Sequence, residues 1–284
     1  MHSNKLIDGR ALAEPILERL KSTIASSVQE GNRPPGLCTI LIGDDLSSQI
    51  YVRHKIKQAN KIGIQNFHHD LKSDISESKL LELINSMNDH ENVDGILIQL
   101  PLPAHISLEK ILQAVDPFKD IDGFHPENVG LLSIGKPRFI PCTPKGCLIL
   151  LEKSGVSLAG ANVVVVGHSN IVGKPMAHLL TNLEATVTVC HKKTIDLKKY
   201  TREADVIITA TGSAHLIQPD FVKENSVIID IGITRLPNGK IVGDANTEAL
   251  LDKVKAITPV PGGVGPMTLA MLMENTVEAW QFRL

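Results

Sequence analysis

The stretch "SSQIYVRHKIKQANKIGI" carries Tyr51 and Lys55 four residues apart, a spacing that on a helix puts both on one face. An apolar stripe through Val52, Ile56, Ala59 and Ile62 leaves Lys55 at the edge of the buried side. A lysine there is partly desolvated, with Arg53 and Lys57 adding positive charge. Such surroundings lower an amine's pKa toward neutrality and suit it to proton transfer. By residue type alone, a lysine that snorkels to solvent is the commoner case, and other polar residues shift the balance. "GILIQLPLP" reads as a buried strand stopped by Gln99, Leu100 and two prolines. An unpaired buried amide costs about 1–3 kcal/mol, so Gln99 needs a partner, either Lys55 or a polar ligand. "DIDGF" offers Asp120 and Asp122, each a turn former or a ligand acceptor. "TPVPGGVGPMT" brings prolines and glycines together around Val264, either a bare turn or a wall where backbone closely approaches a planar ligand.

A second constellation is "VVVVGHSNIVGKPMAHLL". Four valines feed Gly167, and Gly173 opens an apolar helix. The first glycine permits a tight bend, and the helix-start amides with the positive helix end receive phosphate. Gly167, His168, Ser169, Ile171, Val172 and Gly173 are therefore cofactor candidates, with the Ser169 hydroxyl as an added donor. An NAD-preferring fold usually ends its second strand in Asp or Glu, which accepts from the ribose 2′-hydroxyl. Here the strand ends "TVTVCHKKT", with His191, Lys192 and Lys193 and no carboxylate, which favours the 2′-phosphate of NADP. "ATGSAH" and "DIGI" put small residues just past strands, where open α/β sheets bind ligand. Thr211, Gly212, Ile231, Gly232 and Ile233 join the candidates.

These residues need elements to hold them. The chain alternates short β-type runs with helix-period runs, which argues for an α/β fold of parallel sheets covered by helices. The first half reads as a helix over 12–28, strand "LCTILIG", a helix over 48–62 and strand "QNFHHDL". A helix around "SKLLELINSM", strand "DGILIQL" and helix "SLEKILQAV" follow. Residues 116–144 show little periodicity and read as a linker or a site. The second half offers strands "NVVVVG", "TVTVCH", "DVIITATG", "SVIIDIGI", "KIVGDA" and "AITPV", with an Asn-Gly turn in "LPNGK" that favours an antiparallel pair. Two domains are expected, 1–140 and 141–265, with a final helix over 266–284 that carries Trp280 and packs back on the first domain.

Composition narrows the class. Lys and Arg number 29 against 31 Asp and Glu, a net charge of −2 that gives no general attraction to nucleic acid or anionic membrane. No apolar run reaches the roughly 20 residues of a membrane span, and no signal-peptide core stands at the start, so a cytoplasmic protein is expected. Cys38, Cys142, Cys147 and Cys190 lack zinc-ligand or redox spacing and are expected to be buried thiols. In "FHHD", strand alternation separates His68 and Asp70 from His69, and no metal site is expected.

Six segments, "GDDLSSQIYVRHKIKQANKIGI", "GILIQLPLP", "KDIDGFHPENVG", "PCTPKG", "VVVVGHSNIVGKPM" and "TPVPGGVGPMT", together resemble the bifunctional methylenetetrahydrofolate dehydrogenase and methenyltetrahydrofolate cyclohydrolase family along essentially the whole chain. The resemblance implies a folate-site domain, a Rossmann-type NADP domain, a cleft between them and a homodimer. It also implies a cytoplasmic enzyme of one-carbon metabolism that acts on tetrahydrofolate derivatives, with or without a polyglutamate tail. It places the catalytic lysine on Lys55, the folate-stacking tyrosine on Tyr51, its helix serine on Ser48, the glutamine on Gln99 beside Leu100, and the pterin-binding aspartate on Asp122. Gly262, Gly263 and Pro266 match the family's glycine-rich wall. Where most of that family has arginine, this chain has His168. A histidine, unlike arginine, is charged only part of the time near neutrality. His191, Lys192 and Lys193 are thus expected to carry more of the 2′-phosphate recognition, with an NADP preference that weakens as pH rises. Two other readings remain open on the residues: an NADP-dependent dehydrogenase of another small substrate, or an NADP-sensing binding module.

Overall fold

Runs of valine, isoleucine and leucine without polar alternation demand strands covered on both faces. The computed structural model, which describes residues 5–284, meets that demand with two parallel sheets in two compact units. Residues 14–131, 137–140 and 272–284 form the three-stranded unit. The described residues up to Ala13, with 132–136 and 141–271, form the five-stranded unit.

The chain opens with α1 (Gly9–Gln29), whose start is fixed by Asp8 Oδ1, which accepts from the amides of Arg10 and Ala11. The three-stranded unit then runs β1 (Gly36–Ile42), α2 (Leu46–Ile62), β2 (Gln65–Leu71), α3 (Glu77–Asp89), β3 (Gly95–Ile98), α4 (Leu108–Ala114) and α5 (Pro126–Ser133). The strand order is β2-β1-β3. β1 is central and buried along its whole length. Cys38, Ile40 and Ile42 join Ile96 and Ile98 of β3 and Leu80, Ile84 and Met87 of α3 in one core. Asp45 caps α2 by accepting from the Ser48 amide at 2.7 Å, and Gly63, at φ +94°, ends it.

The five-stranded unit continues with α6 (Cys142–Ser154), β4 (Asn162–Val166), α7 (Gly173–Asn182), β5 (Thr186–Cys190), α8 (Leu197–Thr201), β6 (Val206–Thr209) and β7 (Val227–Asp230). β8 (Thr234–Arg235), β9 (Ile241–Val242), α9 (Thr247–Leu250) and β10 (Ala256–Ile257) follow, and α10 (Val264–Gln281) begins in this unit and from residue 272 belongs to the three-stranded one. The sheet order β10-β7-β6-β4-β5 is doubly wound, with its switch point between β4 and β6. The Asn238-Gly239 turn joins β8 and β9 as an antiparallel pair.

Two expectations change, and the one for the cysteines holds. The segment 116–144 is not irregular throughout: it contains α5, opened by Pro126 at its first position, where proline's missing N–H costs nothing. α6 likewise begins within it, at Cys142. The described residues up to Ala13 belong with the five-stranded unit rather than with the first domain, because Leu6 bridges Ile257 in parallel and the Gly9 amide donates to Gly262 O at 3.0 Å. The four cysteines are buried and free; burial pushes the Cys38 thiol up to about 12.

Candidate functional site

In the three-stranded unit, α2 carries Ser48, Tyr51 and Lys55 on one face, since positions three and four apart are helical neighbours. Ser48 is buried, Tyr51 is 47% exposed, and Lys55 is half-buried beside the stripe of Val52, Ala59 and Ile62. Ile56, read as part of that stripe, is only half-buried. Lys55 Nζ donates to Gln99 Oε1 at 2.9 Å. The amide that receives it is itself fixed: Gln99 Nε2 donates to Leu100 O at 2.7 Å, and the backbone N–H of Gln99 donates to Ile40 O at 2.9 Å, just past the end of β3. The sheet therefore orients the glutamine, and the glutamine orients the lysine.

The two aspartates of "DIDGF" separate by environment. Asp120 is buried; its Oδ2 accepts from the His125 amide at 2.7 Å and from Asn128 Nδ2 at 2.8 Å, which makes it the turn former that leads into α5. Burial lifts its carboxyl above the usual range, against the pull of those hydrogen bonds. Asp122, two residues on, is half-buried. Between them, Ile121 O accepts from Asn275 Nδ2 at 2.7 Å, so a buried amide of α10 holds the turn on which Asp122 stands. Sequence reasoning missed Asn275; its signal was a lone amide within the apolar run "LAMLMENTVEAW".

The five-stranded unit builds the other constellation at the carboxyl ends of its strands. Gly167 follows β4 at φ +127°, and a Cβ there would lie 2.6 Å from Ala210 O, in the turn after β6. A Cβ on Gly173 would lie 2.1 Å from Gly167 O. Both glycines are thus required by close backbone approach at the switch point. Ser169 Oγ accepts from the amides of Val172 and Gly173 at 3.2 and 3.4 Å. Its oxygen therefore accepts from the amides that lead into α7, which leaves the hydroxyl proton to donate. His168 and Ser169 are exposed; Ile171 and Val172 are half-buried.

At the end of β5, His191, Lys192 and Lys193 are all exposed, and the His191 ring lies 4.9 Å from the His168 ring. His191 Nδ1 accepts from the Lys193 amide at 3.1 Å. Thr211 is half-buried, Gly212 exposed, Ile231 half-buried and Ile233 exposed. Gly232 is buried against Asp244, whose carboxylate occupies the space a Cβ would need. The donor set suits an anionic, 2′-phosphorylated dinucleotide: a tight glycine turn, a helix N-terminus, two lysines and two imidazoles, with no carboxylate at the end of β5. Gly262, Gly263 and Pro266 also stand in this unit, Gly263 buried and the others half-buried. Sequence reasoning missed Asp230 and Asp244, which lie buried beneath these turns.

Comparison with known proteins agrees along the whole chain. A family model described as the catalytic domain of tetrahydrofolate dehydrogenase/cyclohydrolase matches residues 7–122, and one described as its NAD(P)-binding domain matches residues 141–284. The bifunctional protein FolD of Sulfurihydrogenibium sp. is 50% identical over 281 residues, which cover 98% of this chain and 98% of that protein. The crystal structure of the bifunctional FolD from Campylobacter jejuni has a TM-score of 0.96 at 48% identity, covering 98% of this chain and 99% of that one. The structure of the Trypanosoma brucei methylenetetrahydrofolate dehydrogenase-cyclohydrolase, complexed with NADP cofactor and inhibitor, has a TM-score of 0.94 at 38% identity, covering 98% and 97%. With two family models that match residues 7–122 and 141–284 and relatives of about half identity covered almost end to end, the chain belongs to the tetrahydrofolate dehydrogenase/cyclohydrolase family.

Proposed function

We propose that this protein oxidises 5,10-methylenetetrahydrofolate to 5,10-methenyltetrahydrofolate with NADP and then hydrolyses that product to 10-formyltetrahydrofolate. The observation that carries the reading is the 2.9 Å contact from Lys55 Nζ to Gln99 Oε1, between side chains 44 positions apart. A dehydrogenase alone has little use for such a pair. NADP, when bound, supplies the nicotinamide that accepts a hydride. Loss of that hydride from the methylene carbon draws in a nitrogen lone pair of the folate, so the protein's part is alignment rather than strong base catalysis.

Hydrolysis needs more from the chain. Water adds to the methenyl carbon and gives a proton to the Lys55 amine, whose direction Gln99 sets. The carbon–nitrogen bond to N5 then breaks, N5 keeps a proton, and the formyl group stays on N10, with one proton released overall. Tyr51 stacks on the folate and Asp122 accepts from the donor edge of the pterin as a charge-assisted partner. Ser48 and Leu100 complete the folate contacts, and Gly262, Gly263 and Pro266 are assigned to substrate binding in the same proposal. Gly167, His168, Ser169, Ile171, Val172, Gly173, His191, Lys192, Lys193, Thr211, Gly212, Ile231, Gly232 and Ile233 are assigned to NADP.

The test is a spectrophotometric assay with methylenetetrahydrofolate, first with NADP and then with NAD, following methenyl accumulation and decay. Lys55→Met should let methenyltetrahydrofolate accumulate, with hydrolysis reduced by at least about a hundredfold and NADPH affinity nearly intact. Wild-type hydrolysis in that variant would refute the assignment. The same proposal includes a homodimer, a cytoplasmic location and acceptance of polyglutamylated folates. No helix among the described residues is long and apolar enough to cross a membrane.

A further inference from the structure

Two carboxylates lie where the five-stranded sheet passes into its turns. Asp230 ends β7 and is 1% exposed; Asp244 follows β9 by two residues and is 0% exposed. Asp244 Oδ2 accepts from the Thr209 hydroxyl at 2.8 Å and the Thr211 amide at 2.6 Å, and Oδ1 from the Ser213 amide at 2.8 Å. Asp230 Oδ1 accepts from the amides of Gly232 and Asp244 at 2.9 and 3.0 Å, and Oδ2 from the Ala245 amide at 2.8 Å. The Asp230 amide in turn donates to Thr258 Oγ1 at 2.8 Å, just past β10. The ends of β6 and β7 and the segment 243–245 are thus joined through two carboxylates, and the Thr258 hydroxyl adds the end of β10.

Shape repeats the message of the hydrogen bonds. A Cβ on Gly232 would lie 2.1 Å from Asp244 Oδ1, and one on Gly243 would lie 2.0 Å from Asp230 Oδ2. Those glycines make room for the carboxylates. Buried carboxylates are costly even when hydrogen-bonded, and burial, together with the charge of Asp244, pushes the Asp230 carboxyl up to about 7 against its three amide donors. A turn needing only closure would be served by a neutral side chain, whereas this pair ties the turn at 210–213, held by the Asp244 carboxylate, to the turn at 231–233, whose Gly232 amide shares Asp230 Oδ1 with the amide of Asp244.

We infer that Asp244, held in place by Asp230, is a positioning residue for a pyridine dinucleotide: it sets the spacing between the turns after β6 and β7 that flank the bound cofactor. The inference rests on the NADP reading of this sheet edge. Sites held to within about half an ångström by fixed acceptors lose affinity when the support is loosened.

The experiment titrates the full-length protein, free of folate, with NADPH and follows cofactor fluorescence. Asp244→Asn puts a donor against either the Thr211 or the Ser213 amide, and should weaken NADPH by about tenfold, roughly the worth of one charge-assisted hydrogen bond. Thr209→Val removes one hydroxyl contact at nearly constant volume and should weaken NADPH by about threefold. At steady state both variants should raise KM for NADP and leave KM for methylenetetrahydrofolate unchanged, a split that a general loss of folding does not produce. If both bind NADPH within twofold of wild type while Tm falls, the pair is only structural and the inference fails. Should Asp244→Asn not fold, Thr209→Val decides alone. A wild-type protein that fails to bind NADPH would refute the cofactor reading instead.

Discussion

Lys55 and Gln99 show how much one contact resolves: by residue type Lys55 is an ordinary helix lysine, and its 2.9 Å bond to a sheet-oriented amide, with its half-burial, sets it apart from the exposed Arg53 and Lys57. His168 stands in the turn after β4, where the family resemblance leads one to expect arginine. Its ring lies beside His191 at the ends of β4 and β5. Arginine carries a fixed charge on a fork that matches phosphate, so His168→Arg should raise the preference for NADP over NAD by about tenfold, read as the ratio of kcat/KM values. An unchanged ratio would remove His168 from 2′-phosphate recognition. Asp230 supplies a pH signature. With its carboxyl at about 7 in the folded chain, the native state keeps a proton that the unfolded chain has released above about pH 4. The stability from that proton is complete below about pH 4 and is lost as pH rises toward about 7. Asp244 is the charged group that faces it. The stability advantage of wild type over Asp230→Asn should therefore shrink between pH 5 and pH 7, measured by urea unfolding at each pH; an advantage that grows would overturn the sign.

Elements were most legible where periodicity was long. β1, α2 and α3 follow directly from their apolar patterns, because one buried face at a fixed period leaves few alternatives. Short elements were not: "KIVGDA" contributes only the two-residue β9, and α5 was hidden in a stretch rich in glycine and proline. Neither has enough length for a period to show; β9 is held by β8 across a tight turn, and the start of α5 by the Asp120 carboxylate. The α7 start is an element whose geometry can be tested. A Cβ at Gly173 would collide with Gly167 O, which is backbone and cannot swing aside. Gly173→Ala should cost about 1–3 kcal/mol of stability and weaken NADPH more than it weakens folate, checked by thermal unfolding and by separate titrations. Equal losses for both ligands would argue that the turn is not a cofactor element.

At the scale of the molecule, neither unit is continuous in sequence. The three-stranded unit takes its last piece from residues 272–284. There Trp280 Nε1 donates to Arg33 O at 3.1 Å, Arg283 donates to Val93 O and to the buried Asp94, and Asn275 donates to Ile121 O and Ile140 O. Asp94 also takes both guanidinium nitrogens of Arg33 at 2.7 Å. A chain ending at Met271 loses all of the contacts from 272–284 at once, and should fail to fold the three-stranded unit, seen as loss of slow amide exchange in β1 and β3. Retained protection there would show that the unit is self-sufficient without its C-terminal piece.

From sequence alone came the parallel-sheet class, the order of the motifs, the family resemblance and the residue types available for folate and NADP chemistry, because these are written in local periodicity and in short fixed spacings. Tertiary structure decided which aspartate of "DIDGF" is a turn former, that Ser169 accepts from the amides leading into α7, that residues near Gly9 join the five-stranded unit, and that Asp230, Asp244 and Asn275 underlie the turns. Those assignments depend on hydrogen bonds between residues from two to more than 200 positions apart. No spacing rule encodes such bonds; they exist only once burial has forced each polar group to find its partner.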